Sequence, residues 1–464
     1  MTTRIKKGLG LLLSISIVAG TVLFNAPTSA SSIINVINVA TAQCMIAAGA
    51  GHSLALKEDG SVWAWGYNNL GQLGNGESGA GVFESTPVKV SNLKDVIAVA
   101  AGYAHSLALK NDGSVWAWGR NVEGQLGNGK SGMGAIENNI PILVHLPNTR
   151  DIVAIAAGDY WSFALTEDGS VWAWGNNGSG QLGIGKSGGY EPTPVKVPIN
   201  DVTALSAANG HSLALKADGS VWAWGRNHHG QLGIGKSGEG AIETTAVKVS
   251  NLNGIIAIAA QALHSLALKD DGSVWAWGYN GYGELGNGKS DGMGGPGSFE
   301  DTPVRALNLN GIIAIGAGHH YSLALKGDGS LWGWGQNTFG QFGNGKSGAG
   351  VFENTPVMVS NQKDTIAIAV GRNHTLVLKE DGSVWAWGDN SDGQLGNGDS
   401  GSGVFGDIPV RVNGLVLLSP PTTTLPQNPT DTEGNNLWWI LIVLAGVLGA
   451  GLVVMLVIRA KKSS

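Results

Sequence analysis

The chain has 464 residues, of which 13% are charged and 43% are hydrophobic, with 74 glycines, 17 tryptophans and one cysteine. The glycines lack the three-residue period of collagen, and the apolar content is too high for a disordered chain, so both classes are excluded. The single cysteine, Cys44, allows no internal disulfide and no zinc or redox motif built from paired cysteines. The sequence therefore predicts a fold that is stabilised by a packed core.

The first 30 residues have the pattern of a secretory signal peptide. An apolar run from Gly8 to Phe24 is followed by a small-residue cleavage site at Thr28-Ser29-Ala30, and it is preceded by a basic segment containing Arg4, Lys6 and Lys7. We expect the mature chain to begin near Ser31.

The C-terminal end has the pattern of a membrane anchor. Residues 419–436 form a Pro/Thr-rich linker, residues 437–458 an uncharged apolar segment long enough for a transmembrane helix, and residues 459–464 a basic tail. The positive-inside rule predicts a cytoplasmic tail and an exported body in the cell membrane. The arrangement around Leu425-Pro426 is similar to a cell-wall sorting signal but lacks the Thr-Gly pair, so a retained anchor is favoured over processing by a sortase-like enzyme.

The exported body is acidic. Residues 31–419 contain 22 Lys+Arg against 32 Asp+Glu, a net charge of −10, because six basic and two acidic residues lie in the two ends. This charge argues against a nucleic-acid partner.

The body is a tandem repeat. The string DGS[VL]W[AG]WG occurs seven times at spacings of 50 to 57 residues. Each unit holds four short apolar segments, for example Pro87 to Val90, Val96 to Gly102, His105 to Lys110 and Ser114 to Gly119. Segments of this length, bounded by Asn, Asp and Gly, indicate strands, and the Asp-Gly pair predicts a tight hairpin.

Seven such units predict an all-β fold, a seven-bladed β-propeller of four-stranded antiparallel blades spanning residues 31–418. The first unit begins near Met45 without a PVKV-like segment, whereas such a segment, Ile408 to Val412, follows the last unit and has no blade of its own. We therefore expect this C-terminal segment to complete the first blade and close the ring.

The repeated tryptophans are predicted to be structural. In SVWAWG both tryptophans share one face of the strand, so a bulky face can pack against the slim face of a neighbouring blade. The first tryptophans of the seven repeats are Trp63, Trp116, Trp172, Trp222, Trp275, Trp332 and Trp385.

The repeat resembles a known family. The run from Gly102 to Gly127 is similar to the regulator of chromosome condensation repeat, and the resemblance covers about residues 45–412. It implies a seven-bladed propeller. The namesake proteins are nuclear guanine-nucleotide exchange factors that bind chromatin, and secreted bacterial relatives include an inhibitor that binds β-lactamases through one face. The predicted signal and anchor favour an exported, bacterial-type member.

One repeated motif imitates a nucleotide site. Five copies of GQLGNGKS-like sequence satisfy the P-loop pattern G-x-x-x-x-G-K-[ST], but more glycines follow and no helical period exists, so no nucleotide binding is predicted. The lysines of these motifs are Lys130, Lys186, Lys236, Lys289 and Lys346.

A second repeated position carries histidine in five units and Trp161 or Tyr321 in the other two. Because a metal or catalytic role would not survive these exchanges, we expect a structural hydrogen bond to a carbonyl. We find no lipase-type nucleophile elbow, no HExxH and no isolated carboxylate pair, so neither catalysis nor a metal or other cofactor is predicted.

What varies among the repeats indicates the working surface. The residues before the histidine position and those after WG differ between units, and in an antiparallel meander both sets lie at one end. The candidate binding residues at this end are Tyr103, Tyr160, Trp161, His229, Tyr282, His320, Phe339 and Arg372. Aromatic side chains on rigid loops are typical of protein-binding surfaces. The sequence therefore predicts a cell-surface propeller that binds an unidentified protein, with exchange-factor-like activity or inhibition of an envelope or secreted enzyme as alternatives.

Overall fold

The computed structural model describes residues 14–17, 20–23, 45–147, 151–291, 298–359 and 362–418. The described part of the predicted signal peptide is a short hairpin, β1 (Ser14–Ile17) paired with β2 (Gly20–Leu23). Cys44, the predicted linker 419–436, the predicted transmembrane helix 437–458 and the basic tail 459–464 lie outside the described residues. Among the residues that are described, no helix has the length and apolar character needed to cross a bilayer.

The remaining strands form seven separate four-stranded antiparallel sheets, as the sequence predicted. Blade 1 contains β3 (Ile46–Ala48), β4 (His52–Leu56), β5 (Val62–Tyr67) and β6 (Phe83–Lys89). Blade 2 contains β7 (Val96–Ala101), β8 (His105–Lys110), β9 (Val115–Arg120) and β10 (Glu137–Leu143). Blade 3 contains β11 (Ile152–Ala157), β12 (Trp161–Thr166), β13 (Val171–Asn176) and β14 (Tyr190–Val197). Blade 4 contains β15 (Val202–Ala207), β16 (His211–Lys216), β17 (Val221–Arg226) and β18 (Ile242–Lys248).

The last three blades follow the same order. Blade 5 contains β19 (Ile255–Gln261), β20 (His264–Lys269), β21 (Val274–Tyr279) and β22 (Phe299–Arg305). Blade 6 contains β23 (Ile312–Ala317), β24 (Tyr321–Lys326), β25 (Leu331–Gln336) and β26 (Phe352–Met358). Blade 7 contains β27 (Thr365–Val370), β28 (His374–Lys379), β29 (Ser383–Asp389) and β30 (Phe405–Val416).

We name the four strands of each blade A to D in chain order. The A strands of successive blades contact one another around the whole ring, including β27 of blade 7 with β3 of blade 1, so they line the axis. The D strands are the outer edges. Alanine is frequent in the A strands, as in β7 (VIAVAA), which suits a position where seven strands converge and leave little room for larger side chains.

The core lies between the blades. Each of seven apolar clusters joins two adjacent blades, and each contains the second tryptophan of one repeat. Trp65 of blade 1, for example, packs against Leu376, Val384 and Ala386 of blade 7. A bulky face therefore meets a slim face, as the strand alternation predicted. The second tryptophans are fully buried, whereas the first tryptophans, such as Trp63, are only partly buried.

A repeated hydrogen-bond network accompanies this packing. The main-chain carbonyl of Gln72 in blade 1 accepts from the indole of Trp118 and from the hydroxyl of Ser106, both in blade 2, at 2.8 Å each. Because the Ser106 hydroxyl donates to that carbonyl, its oxygen accepts from Nε2 of His52 at 3.0 Å. The histidine position thus bonds to a serine of the next blade and not to the carbonyl we expected. Only Tyr321 follows the expectation, donating to the His374 carbonyl at 2.7 Å.

The ring closes in a different way from the one predicted. Ile408 to Val412 does not complete blade 1, since it lies in β30, which pairs with β29 of its own blade, and blade 1 has its own A strand in β3. The two ends of the ring meet through the same contacts as any other pair of blades. His374 bonds to Ser53 at 3.0 Å, and the indole of Trp65 donates to the Gln394 carbonyl at 2.9 Å.

Truncation of a buried tryptophan tests this account of the core. Trp224 is fully buried, donates to the Gln181 carbonyl and meets Phe163 edge-on, with ring centroids 6.0 Å apart. We expect Trp224→Ala to lower the free energy of unfolding by about 3 to 5 kcal/mol, measured by urea denaturation. Trp222→Ala in the same strand is the matched control and should cost less, because Trp222 is partly exposed. An equal or larger loss for Trp222→Ala would contradict this assignment.

Candidate functional site

The two ends of the propeller differ in their loops. The A–B and C–D loops share one end: Tyr67, the last residue of strand C in blade 1, donates from its N–H to the carbonyl of Gly51 in the A–B loop at 2.8 Å. The DGS hairpins and the D-to-A connections share the other end, where the N–H of Val96 donates to the Gly60 carbonyl at 3.3 Å. We call the first end the loop face and the second the hairpin face.

Glycines hold the A–B and C–D loops close together on the loop face. Gly102 begins the A–B turn of blade 2, and a Cβ there would lie 2.3 Å from Cε1 of His105. Gly119 of the WG pair has φ +96°, and a Cβ there would lie 2.6 Å from the carbonyl oxygen of Ala104. Because only glycine fits these two positions, the variable residues beside them are presented from a fixed backbone.

The constant asparagine after WG fixes the C–D loop. In blade 2, Oδ1 of Asn121 accepts from the Leu126 N–H at 3.0 Å, and its Nδ2 donates to the Lys130 carbonyl at 3.2 Å. The P-loop-like run is thus a folded C–D loop that leads into strand β10. A phosphate-binding loop, by contrast, leads into a helix. Several of its lysines pair with glutamates of strand D, as Lys289 does with Glu300 at 2.9 Å.

On one side of the loop face, two arginines and two tyrosines form a continuous stack that we call the tyrosine stack. The guanidinium of Arg372 lies 5.6 Å from the ring centroid of Tyr103, the rings of Tyr103 and Tyr160 are 5.4 Å apart, and the guanidinium of Arg120 lies 5.4 Å from Tyr160. Arg120 is also bound by Glu123 at 2.6 Å. Burial alone would raise the pKa of Glu123, but its hydrogen bonds with Arg120 and Gln125 outweigh this and lower it.

On the other side, aromatic rings of blades 4 to 6 form a second group that we call the histidine cluster. His320 lies 5.2 Å from Tyr282, 5.7 Å from Tyr279 and 4.2 Å from His319, and His229 lies 5.3 Å from Tyr279.

His320 of this cluster is anchored to a buried acid. Its Nδ1 is 3.0 Å from Oε1 of Glu284, a fully buried side chain whose pKa is raised by burial. The other six blades have glutamine where blade 5 has Glu284, so the repeat symmetry is broken here.

The two groups meet at the propeller axis, around a narrow opening that we call the axial recess. Its cavity volume is about 10 Å³, room for roughly one water-sized group. The residues that line the recess are Ala50, Gly102, Tyr103, Asp159, Gln261, His319 and Arg372.

Asp159 is the acidic group of this recess. Asp159 is partly exposed as a residue, and its carboxylate accepts a hydrogen bond from the Asn209 side chain. Burial raises the pKa of Asp159 to about 6, and the hydrogen bond from Asn209 and the charge of Arg372 only partly offset this rise.

The hairpin face is repetitive. In each DGS turn the aspartate accepts from the serine two residues later, as Asp112 does from the N–H of Ser114 at 3.0 Å and from its hydroxyl at 2.5 Å. Beside several of these turns a lysine covers the first tryptophan, as Lys57 covers Trp63 at 4.5 Å. Across the described part of the chain, no three His, Cys, Asp or Glu side chains are grouped to hold a metal ion.

The structure brings together six of the eight candidate binding residues. Tyr103, Tyr160 and Arg372 lie in the tyrosine stack, and the other three lie in the histidine cluster. Phe339 is partly buried in the C–D loop of blade 6, outside both groups. Trp161 was wrongly predicted as a contact residue: it is fully buried, because strand β12 begins with it and turns its ring into the junction with blade 4.

Sequence reasoning missed several members of the site, chiefly Tyr279, Asp159, His319, Arg120 and Glu284. The signal was present, since each of these residues lies in one of the variable strings or replaces the constant glutamine. The sequence does not show which of these positions, many of them about forty residues apart or more, contact one another.

A ring of seven four-stranded blades with variable loops at one end defines a β-propeller built to present a rigid face. The chain belongs to the regulator of chromosome condensation (RCC1) family. The RCC1-like domain pattern matches residues 25–296, and two patterns of the RCC1 repeat match residues 312–341 and 366–394, and residues 271–325, 328–378 and 381–419.

Relatives extend over most of the propeller. The chain is 31% identical to the ultraviolet-B receptor UVR8 of Arabidopsis thaliana over 85% of this chain and 75% of that protein. It is 30% identical to the human E3 ubiquitin-protein ligase HERC2 over 74% of this chain, but this span is only 6% of HERC2. The solved structure of Prp20p from Saccharomyces cerevisiae has a TM-score of 0.67 at 24% identity, covering 83% of this chain and 89% of that one, and it supports the fold.

Proposed function

We propose that the chain is a binding protein that presents its loop face to another protein and catalyses no reaction of its own. The observation that carries this proposal is the convergence of the tyrosine stack and the histidine cluster on the axial recess. Tyrosine and arginine are enriched among the residues that dominate protein interfaces. A recess of about 10 Å³ is far below the roughly 300 to 1,000 Å³ of sites that enclose a small molecule, so a broad contact is what this face offers.

The family supports a protein partner. Prp20p binds Gsp1p and histones, which are proteins. Guanine-nucleotide exchange, which the resemblance implies for nuclear members, is the second candidate and rests on the family alone. We also propose that the propeller lies outside the cell, held by residues 437–458. This part of the proposal rests on the sequence of the two ends. UVR8, HERC2 and Prp20p are eukaryotic proteins and give no support to a bacterial type.

Site-directed cross-linking tests which face meets the partner. A photoreactive amino acid replaces Tyr160 on the loop face of the full-length chain, and the same group replaces Asp112 on the hairpin face as the control. We expect a protein adduct from position 160 and none from position 112. Adducts from position 112 alone would overturn the proposal, and nucleotide release from a cross-linked GTPase would favour exchange activity.

Alanine at Tyr160 then measures the contribution of the loop face. We expect Tyr160→Ala to weaken binding of the cross-linked partner by about thirtyfold, which corresponds to about 2 kcal/mol, because aromatic anchors dominate such interfaces. Its effect on the free energy of unfolding should stay within about 1 kcal/mol, since the side chain is partly exposed. Asp112→Ala is the matched control and should leave the affinity unchanged. Affinity that falls only with Asp112→Ala would contradict the assignment.

A further inference from the structure

We infer that the axial recess binds a carboxylate carried by the partner, through the guanidinium group of Arg372. This inference rests on the proposed function, because it describes the chemistry of the partner that the loop face would recognise. The carboxylate belongs to an acidic side chain or to a chain terminus, since both present the same two oxygens.

The first reason is that Arg372 makes no close ion pair, although Asp159 lies near enough for the charge of Arg372 to lower the pKa of its carboxyl. Among the described residues, no carboxylate oxygen lies within 4.0 Å of its guanidinium, whereas Arg120 at the other end of the tyrosine stack is bound by Glu123 at 2.6 Å. The guanidinium of Arg372 lies over the ring of Tyr103, which restrains it, and Arg372 also lines the recess, where its N–H groups can donate. A planar guanidinium held in this way matches a carboxylate, because two parallel hydrogen bonds can form.

The second reason is the lining of the recess. Oε1 of Gln261 accepts from the N–H of Ala262 at 3.0 Å, so its amide nitrogen remains to donate. Burial lowers the pKa of His319 to about 3, and the charges of His320 and Arg372 act in the same direction, so its ring is neutral near pH 7. Ala50 leaves room where every other blade except blade 5 carries a larger side chain. The mouth of the recess therefore presents one cation, the Asp159 carboxyl and uncharged polar groups to the end of an incoming side chain.

Asp159 makes this binding depend on pH. Around Asp159, the Asn209 side chain donates a hydrogen bond, Arg372 is a cation, His319 is neutral, and the rings of Tyr103 and Tyr160 complete the surroundings. With a pKa of about 6, Asp159 repels an incoming carboxylate when it is ionised and no longer repels it when it is protonated. A bound carboxylate raises the pKa of Asp159 further, so binding takes up a proton and becomes tighter as the pH falls.

The test uses acetate as the probe and the full-length chain with ¹³C-labelled arginine side chains. Acetate replaces chloride at constant ionic strength, and the Arg372 signal is assigned by its loss in Arg372→Gln. We expect that signal to shift saturably with acetate near pH 6, where the propeller loses far less stability than at pH 5, with affinity several-fold lower near pH 7.5, since each unit of pKa shift in Asp159 is worth at most a factor of ten.

Matched variants separate the site from general charge effects. Arg226→Gln removes a partly exposed guanidinium that lies outside the recess lining and should leave the acetate response unchanged. Asp159→Asn should keep acetate binding and remove its pH dependence. Arg372→Lys should retain charge but weaken binding, because a single ammonium cannot make two parallel hydrogen bonds.

Two peptides distinguish the source of the carboxylate. One is N-acetylated tri-alanine with a free C-terminal carboxylate, and the other is N-acetylated, C-amidated Ala-Glu-Ala. Saturable binding of either at Arg372 supports the inference and identifies the source. Equal shifts of all arginine signals, an acetate response that survives in Arg372→Gln, or binding of methylammonium in place of acetate would overturn it. None of these outcomes affects the cross-linking test, so the two proposals fail separately.

Discussion

Acidification from pH 7 to pH 5 is expected to destabilise the propeller strongly, with a loss on the order of 10 kcal/mol in the free energy of unfolding before offsets. The reason is a set of buried histidines at the blade junctions. Burial lowers their pKa values to about 3, and the five residues are His52, His105, His211, His264 and His374. Urea denaturation across this pH range measures the loss.

The direction follows from where each proton binds. Below pH 6.5 the unfolded chain protonates these histidines, whereas the folded chain keeps them neutral, so the unfolded state binds more protons and stability falls by about 1.4 kcal/mol per pH unit for each histidine. At pH 5 this is on the order of 2 kcal/mol each. Asp159 and Glu284 act oppositely, because their raised pKa values favour the folded state on acidification. The hairpin aspartates, with pKa values lowered mainly by serine hydrogen bonds, add losses only below about pH 4.

A variant patterned on blade 6 isolates one histidine. His374→Tyr gives blade 7 the residue that blade 6 has at the equivalent position, Tyr321. In both blades a glycine stands three residues earlier. We expect its pH dependence between 6.5 and 5 to be shallower than that of the parent by about 1.4 kcal/mol per pH unit. A parallel curve would show that His374 does not carry the expected linkage. Lys130→Gln, at an exposed position in blade 2, should give the parent's slope.

The repeat itself predicted the blades and the core, because strand alternation and turn chemistry are local properties. It did not predict where a blade begins. Short connections usually join hydrogen-bonded neighbours. Only five residues separate Val90 from Val96, which favoured pairing of the segment that ends at Val90 with the segment that begins at Val96. In the structure they cross from the outer edge of blade 1 to the axis strand of blade 2. Three strand spacings are about 14 Å and five extended residues reach about 17 Å, so the connection is long enough.

The candidate site was predictable as a face but not as a set of contacts. Meander topology puts Tyr103 and Tyr160 at the same end, and the structure stacks them. Whether Trp161, one residue later, points outward or inward depends on the exact start of β12, which a one-residue shift reverses. The serine partners of the histidines were missed for a related reason: His52 and Ser106 meet only because adjacent repeats stack.

Removal of β30 is the second large effect. We expect a chain ending at Gly403 to lose about 6 kcal/mol or more relative to a chain ending at Leu418, because the shorter one lacks three fully buried side chains worth about 2 kcal/mol each. These are Val412, Leu415 and Leu417, which pack between blades 7 and 1. Both chains lack residues 419–464, so the comparison isolates the strand. The melting temperature measures the loss.

Hydrogen exchange then shows which blade opens. Because β30 pairs with β29, the amides of β29 should lose protection in the shorter chain. The amides of β3 and β4 in blade 1 keep their strand partners, so they should remain better protected than those of β29. Loss of protection in blade 1 with β29 still protected would instead support the sequence-based prediction that Ile408 to Val412 completes blade 1. An unchanged melting temperature would contradict the burial of Val412, Leu415 and Leu417 between the blades.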